Sequence, residues 1–224
     1  MSNFLEASKE LHKKNSSFGK ASEYNTKGSM KHELTIPLAV AAAHQVQPIQ
    51  HILDHGCGKG GLVNAINEDT SVPAKAYGYD PAVTEFSQLP DHPFDIITSI
   101  DVLEHVGREN IGETLKEIKT LDPAFFFFCI DLLPASKKTS DKRNAHFLVA
   151  PSDWWAQQIK SYFKIVTAIE VGEMPDQSNY PIHLFGCATN SIKNFDAMTT
   201  FLRNVRVANK NWIWNPTQGG ATLR

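Results

Sequence analysis

The most informative segment of this chain is Ile52-Leu53-Asp54-His55-Gly56-Cys57-Gly58-Lys59-Gly60-Gly61. It starts as an apolar run typical of a buried strand, ends in glycines and leads into the helical pattern of residues 60–67. Glycines allow a sharp turn and let a ligand approach the main chain, whose free amides point outward at a helix N-terminus. The segment therefore predicts a strand, a ligand-binding turn and a helix.

The glycine spacing fits two kinds of nucleotide-binding turn. Gly56, Gly58 and Gly61 fit the dinucleotide pattern, whereas Asp54, Gly56, Gly58 and Gly60 fit a pattern with an acid two residues before the first glycine. A carboxylate at position 54 would repel a pyrophosphate, but it can accept a hydrogen bond from a ligand ammonium group. S-adenosylmethionine carries an ammonium group and no phosphate, so Asp54 favours the second pattern.

Strand-like and helix-like segments alternate around this turn. Strand patterns cover residues 49–54, 74–79, 94–100, 124–130, 164–171 and 182–189. Helical patterns cover residues 33–46, 60–67, 109–120 and 152–162. The last two strands have no helix between them. We therefore predict an α/β fold: a doubly wound, Rossmann-like, mostly parallel seven-stranded sheet with an antiparallel edge strand and helices on both faces.

Two further motifs lie where parallel strands are predicted to end. Asp80, followed by Pro81, closes the second strand, where a carboxylate can bind the ribose of an adenosine. The segment FDIITSIDVLEHV, residues 94–106, carries a strand into mixed sequence at the edge where open α/β sheets bind ligands. Asp80 alone could be a turn residue and Asp54 alone a capping acid. Together, at this spacing, they favour a nucleoside ligand.

These motifs, in this order, resemble the class I S-adenosylmethionine-dependent methyltransferases, in particular the ubiquinone-biosynthesis O-methyltransferases and other small-molecule methylases. The family's D-x-G-C-G-x-G matches residues 54–60, its G-x-D-P matches 78–81, and its F-D-x-I followed by V-L-E-H-V matches 94–106. The resemblance covers about residues 48–190. The chain departs from it at Ala124 and Phe125, which replace turn glycines, and in the short segment between Asp80 and Asp95.

The resemblance implies S-adenosylmethionine as cofactor, S-adenosylhomocysteine as product and three parts of the chain. These are an N-terminal helical lead-in or cap (1–47), a cofactor-binding methyltransferase domain (48–190) and a C-terminal extension (191–224). The methionine moiety would be held by Asp54 and the turn glycines Gly56, Gly58 and Gly60. Asp80 would bind the ribose, and Ile100 and Asp101 would line the site near the sulfonium. Tyr24 would close over the methionine part or pack as an ordinary core residue.

Methyl transfer is an in-line displacement, which needs a base only if the acceptor must lose a proton. The candidate bases are His146, in the polar loop after the strand 124–130, and His105. A loop histidine that bonds to backbone is the competing interpretation of His146. We predict no metal site, because His51 and His55 would lie roughly 13 Å apart along a strand and Glu104 and His105 would diverge on a helix.

Composition narrows the alternatives. The 224 residues carry a net charge of −2 and no apolar run long enough to cross a bilayer, so we expect one soluble, cytoplasmic domain without nucleic-acid or membrane partners. Three cysteines without a CxxC pair argue against disulfides or thiolate zinc. The expected acceptor is a small molecule, an oxygen first. The terminal segments are candidates for a homodimer contact, and Trp212 and Trp214 for an edge strand or partner-binding segment.

Two other functions remain open at this point. A methyltransferase-like protein could bind the nucleoside or serve as a scaffold without turnover. An NAD-dependent oxidoreductase is opposed by Asp54, by the 48-residue lead-in before the glycine turn and by the short chain that follows it.

Overall fold

The computed structural model describes residues 4–14, 39–173, 183–208 and 212–216. The helices are α1 (Phe4–Lys14), α2 (39–43), α3 (Gly61–Glu68), α4 (Ile111–Thr120), α5 (Ser152–Lys160) and α6 (Phe195–Ala208). The strands are β1 (His51–His55), β2 (Lys75–Tyr79), β3 (Ile96–Ile100), β4 (Phe125–Asp131), β5 (Ile165–Glu173), β6 (His183–Thr189) and β7 (Trp212–Pro216). Short 3-10 helices cover Thr84–Phe86, Leu103–His105 and Ile192–Asn194.

The strands form one mixed sheet in the order β2-β1-β3-β4-β6-β5-β7. The pairs β1 with β2, β1 with β3 and β3 with β4 are parallel, whereas β4 with β6, β5 with β6 and β5 with β7 are antiparallel. One expectation is corrected, because the Rossmann-like unit contributes six strands rather than seven, and β7 joins them from the C-terminal segment. The predicted antiparallel edge strand is confirmed, since β7 lies at the edge and runs antiparallel to β5. A second antiparallel strand, β6, lies inside the sheet between β4 and β5.

The centre of the sheet is β4, whose sequence FFFFCID has no polar residue before Asp131. Because successive side chains alternate between the faces of a strand, its phenylalanines supply two core layers. Phe125 and Phe127 pack with residues of α2, α3 and α6, and Phe126 and Phe128 pack with residues of α4 and α5. Helices therefore cover both faces, as the alternating pattern predicts.

Most element boundaries differ from the sequence prediction by no more than two residues. Of the helix predicted over 33–46, residues 39–43 are helical and 33–38 lie outside the described residues. Trp155, Ile159 and Phe163 repeat at helical spacing, and all three are buried in the core on one face of the sheet. No helix in the described ranges is both long and apolar enough to cross a membrane.

Both departures from the family pattern have a local structural explanation. The turn before β4 lacks the family's glycines, and Asp122 itself takes the left-handed conformation, with φ 48°. The short segment between β2 and β3 forms a 3-10 turn rather than another strand, so β2 is the outermost strand on that side.

Candidate functional site

A cavity of about 590 Å³ opens at the carboxyl edge of the parallel strands. The ends of β1, β2, β3 and β4 contribute Asp54, Asp80, Ile100, Asp101 and Asp131 to its lining. This is the position at which open α/β sheets bind ligands, because the loops that follow parallel strands meet there. The structure therefore brings the acids predicted from sequence into one site.

The glycine turn is built into the wall of this cavity. Gly56 and Cys57 donate backbone hydrogen bonds to Tyr79 O at 2.7 and 3.1 Å, which ties the turn to the end of β2. Gly56 has φ 89°, and a Cβ added there would lie 2.4 Å from Val102 Cγ1. Gly60, with φ 74°, immediately precedes α3 as its N-cap residue and does not itself line the cavity. These positions require glycine for both conformation and space.

Asp54 lies at the end of β1 with 5% of its surface exposed. Thr98 Oγ1, on β3, donates a hydrogen bond of 3.0 Å to Asp54 Oδ1. Burial and, to a lesser extent, the nearby charge of Asp80 raise the pKa of Asp54 to about 7, against the opposing effect of that hydrogen bond. A carboxylate held in this way gains most from a ligand that brings a positive charge.

Asp80 is fixed by backbone donors at the end of β2. Its Oδ2 accepts a hydrogen bond from Gly58 N at 2.9 Å and its Oδ1 accepts one from Ala82 N at 2.8 Å. Asp80 therefore links the glycine turn to the loop after β2 while still lining the cavity. His12 of α1 approaches it as well, with Nε2 3.9 Å from Oδ2.

Ile100 and Asp101 occupy the end of β3, next to the glycine turn. Asp101 has φ 53°, in the left-handed region that non-glycine residues adopt at an energetic cost. Its amide donates a hydrogen bond of 2.9 Å to Cys129 O, so the turn keeps the register of β3 with β4. The strained turn directs the chain into the 3-10 helix that carries Glu104 and His105.

The cavity is also lined by Glu104, His105 and His146. Glu104 is completely buried, and burial raises its pKa well above the usual range. Burial, with a smaller contribution from the neighbouring His146, lowers the pKa of His105 to about 4. The rings of His105 and His146 meet edge to face, with centroids 4.8 Å apart.

The sequence argument that Glu104 and His105 diverge on a helix is wrong. They lie in a 3-10 turn, and the potential ligand atoms of Glu104, His105 and His146 all lie within 4.8 Å of one another. The loop-histidine interpretation of His146 is correct in one respect, since its Nδ1 bonds to Leu133 O.

Helix α1 contributes cavity residues that the sequence analysis did not identify: Phe4, Leu5, Ser8 and His12. Its amphipathic spacing was the available signal, because Phe4, Ala7 and Leu11 repeat at helical intervals and the last two are buried. Glu10 on the same helix accepts a hydrogen bond from Ser140 Oγ in the loop after β4. Tyr24, the other predicted lead-in residue, lies outside the described residues.

Several solved structures are similar to this chain. The chain is 11% identical to the protein of a DhpI–SAH complex, covering 85% of this chain and 100% of that one, with a TM-score of 0.50. It is 12% identical to magnesium protoporphyrin IX methyltransferase (ChlM) from Synechocystis PCC 6803, covering 84% and 98%, with a TM-score of 0.49. At 11% identity, the similarity to the DhpI–SAH complex concerns the fold alone.

Another similar structure is the mitomycin 7-O-methyltransferase MmcR, at 13% identity and a TM-score of 0.46. The match covers 84% of this chain and 61% of MmcR, so the chain spans less than two thirds of that protein. No curated protein matches this sequence. The model of one family, described as a methyltransferase domain, matches residues 14–179. Since that match includes the glycine turn, the acids at the strand ends and more than half of the sequence, this chain belongs to the methyltransferase domain family.

Proposed function

We propose that this protein transfers the methyl group of S-adenosylmethionine to a small-molecule acceptor, at an oxygen atom. The observation that carries the proposal is the convergence of Asp54, the glycine turn, Asp80 and Asp101 on one cavity. A sulfonium nucleoside needs an acceptor for its ammonium group, a carboxylate for its ribose and close approach to the backbone. The cavity provides all three.

The cofactor would lie across the carboxyl edge of the sheet. Its amino-acid end would lie at Asp54 and the turn glycines, and its ribose at Asp80. The sulfonium would then lie near Ile100 and Asp101, directed toward the end of the cavity that holds Glu104, His105 and His146. This order leaves the acceptor on the far side of the methyl group, as in-line displacement requires.

The two histidines form the acceptor side in this proposal. His105 and His146 both line the cavity, and their ring centroids lie 4.8 Å apart. An acceptor hydroxyl must lose its proton as the new carbon–oxygen bond forms, so groups at this end must act on the acceptor oxygen. Helix α1 lies along the cavity and would act as the cap expected of the N-terminal segment.

The test is calorimetric titration of the purified chain with S-adenosylmethionine, S-adenosylhomocysteine and NADH. We expect micromolar binding of the two sulfur nucleosides, lost in Asp54→Ala and Asp80→Ala. Asp91→Asn is the matched control, because Asp91 is an exposed acid in the loop before β3, at the opposite edge of the sheet. Binding of NADH alone, or full binding by both alanine variants, would contradict the proposal.

Turnover is tested separately, with hydroxyl-bearing small molecules and detection of released S-adenosylhomocysteine. Release that depends on the acceptor supports transfer. A protein that binds the cofactor but methylates no fraction of a metabolite extract would instead be the non-catalytic nucleoside-binding protein left open by the sequence.

A further inference from the structure

The acceptor end of the cavity contains a compact group of metal-binding side chains. Glu104, His105 and His146 each offer one ligand atom, and these atoms lie within 4.8 Å of one another. Metal bonds of about 2.0–2.2 Å bring the nitrogen and oxygen ligands of a four-coordinate ion within roughly 3.5 Å of each other. To bind one ion, the ligand atoms of these side chains would have to move roughly 1 Å closer to one another.

Glu104 supplies the strongest sign that a partner belongs here. Glu104 is 0% exposed, and its Oε1 accepts a hydrogen bond of 3.0 Å from Asp131 N. Its Oε2 is also buried and has no hydrogen-bond partner among the described residues. A buried carboxylate oxygen without a partner is costly, and a bound cation would remove that cost.

The two histidines are held in a tautomer that can bind a metal through Nε2. A backbone carbonyl can only accept a hydrogen bond, so His105 Nδ1 donates to Ala145 O at 2.8 Å and His146 Nδ1 donates to Leu133 O at 2.5 Å. Each ring therefore carries its lone pair on Nε2. Metal-binding histidines are commonly oriented in this way, by donation from the other ring nitrogen to a carbonyl.

We propose that Glu104, His105 and His146 bind a divalent first-row transition metal ion at the acceptor end of the cavity. Two imidazoles and one carboxylate suit an ion such as Zn²⁺, whereas Mg²⁺ and Ca²⁺ prefer oxygen ligands. Three protein ligands leave a coordination position for a water or a substrate atom, which is the arrangement of catalytic rather than structural sites. The proposal replaces the sequence-based expectation of no metal.

The task of this ion rests on the proposed function. An acceptor hydroxyl bound to the ion would have a lowered pKa and would lose its proton to water. The oxygen lone pair would then form the bond to the methyl carbon as the bond from that carbon to sulfur breaks, leaving S-adenosylhomocysteine. His105 and His146 would thus act on the acceptor as metal ligands rather than as free bases.

The test is metal binding by the full-length, untagged chain, with Zn²⁺ for calorimetry and Co²⁺ for visible spectroscopy. We expect one Zn²⁺ per chain and Co²⁺ d–d bands from a nitrogen and oxygen ligand set. We expect Glu104→Gln and His146→Ala each to weaken Zn²⁺ binding at least tenfold. Glu104→Gln keeps a side-chain oxygen that can accept the hydrogen bond from Asp131 N. His146→Ala changes a half-buried loop residue, so this variant remains informative if Glu104→Gln does not fold.

His92→Ala is the matched control. The rings of His92 and His51 lie 4.0 Å apart near the start of β1, at the opposite edge of the sheet, and could hold zinc adventitiously. Zinc binding that persists in both site variants, or that is lost in His92→Ala, would overturn the proposal, as would a chain that binds neither ion. S-adenosylhomocysteine titrations on the same proteins keep the two proposals separate, because cofactor binding at Asp54 and Asp80 does not depend on the metal.

Discussion

Thr98 Oγ1 on β3 donates a hydrogen bond of 3.0 Å to Asp54 Oδ1 on the neighbouring β1. Both residues are buried, and this bond works against the burial that raises the pKa of Asp54 to about 7. The carboxyl is thus poised to change its charge near neutral pH. Two of the predictions below follow from this pair.

The first prediction concerns stability without cofactor. Because the pKa of Asp54 is raised in the folded state, the folded chain binds a proton between about pH 4 and 7 that the unfolded chain has lost. The contribution of Asp54 to the free energy of unfolding is therefore fully present at lower pH and is lost as pH rises through 7. Relative to Asp54→Asn, the wild type should lose up to about 1.4 kcal/mol per pH unit across this range. Chemical denaturation of both proteins at several pH values measures the difference, and parallel curves would contradict the prediction.

The second prediction concerns cofactor binding. A ligand ammonium group favours ionised Asp54, so affinity for S-adenosylmethionine should rise with pH and level off above about pH 7. Thr98→Val removes the donor that favours the charged form and should move this rise to higher pH. Calorimetry in buffers of different ionisation enthalpy should detect proton release on binding below pH 7. In Asp54→Asn the pH dependence near 7 should disappear, and its persistence would assign it to another group.

The third prediction concerns the glycine turn. Gly56→Ala places a methyl group 2.4 Å from Val102 Cγ1 at a residue with φ 89°. We expect a loss of about 1–3 kcal/mol in stability and at least a tenfold loss of cofactor affinity. Gly61→Ala is the matched control, because Gly61 is the first residue of α3 and lacks the positive φ of Gly56. Thermal melts and calorimetry measure both effects, and equal behaviour of the two variants would argue against a conformational requirement.

The fourth prediction separates strain from function at Asp101. Asp101→Gly and Asp101→Ala both remove the carboxylate, but only glycine adopts φ 53° without cost. The glycine variant should therefore be more stable than the alanine variant by about 1 kcal/mol. If the carboxylate lies near the sulfonium, both variants should lose cofactor affinity by the same factor. If the less stable alanine variant loses more cofactor affinity than the glycine variant, Asp101 acts only by shaping the turn.

The local features of the site could be predicted from sequence because they depend on residues close together in the chain. The glycine turn follows from the conformational freedom that its residues need, and Asp54 and Asp80 follow from their positions at strand ends. The α/β class follows from the alternation of apolar periods. The glycine turn and each individual strand or helix pattern lie within a short segment, so these signals do not depend on how the segments pack together.

Other features were decided by strand order and by contacts between distant segments. The position of β6 between β4 and β5 depends on how the last strands pair, and their similar apolar patterns do not specify it. The association of α1 with the cavity depends on contacts between the first helix and a loop more than a hundred residues later.

The acceptor end of the cavity combines residues that are neighbours in sequence with one that comes from a distant segment. Glu104 and His105 are neighbours in sequence, but His146 reaches them only because the loop after β4 folds back and Ala145 O accepts the hydrogen bond from His105. Sequence alone determined that this protein carries a nucleoside-binding turn on an α/β sheet, since that signal is local. Only the tertiary structure brought one carboxylate and two histidines together, since their proximity depends on a turn and a long loop that meet across the cavity.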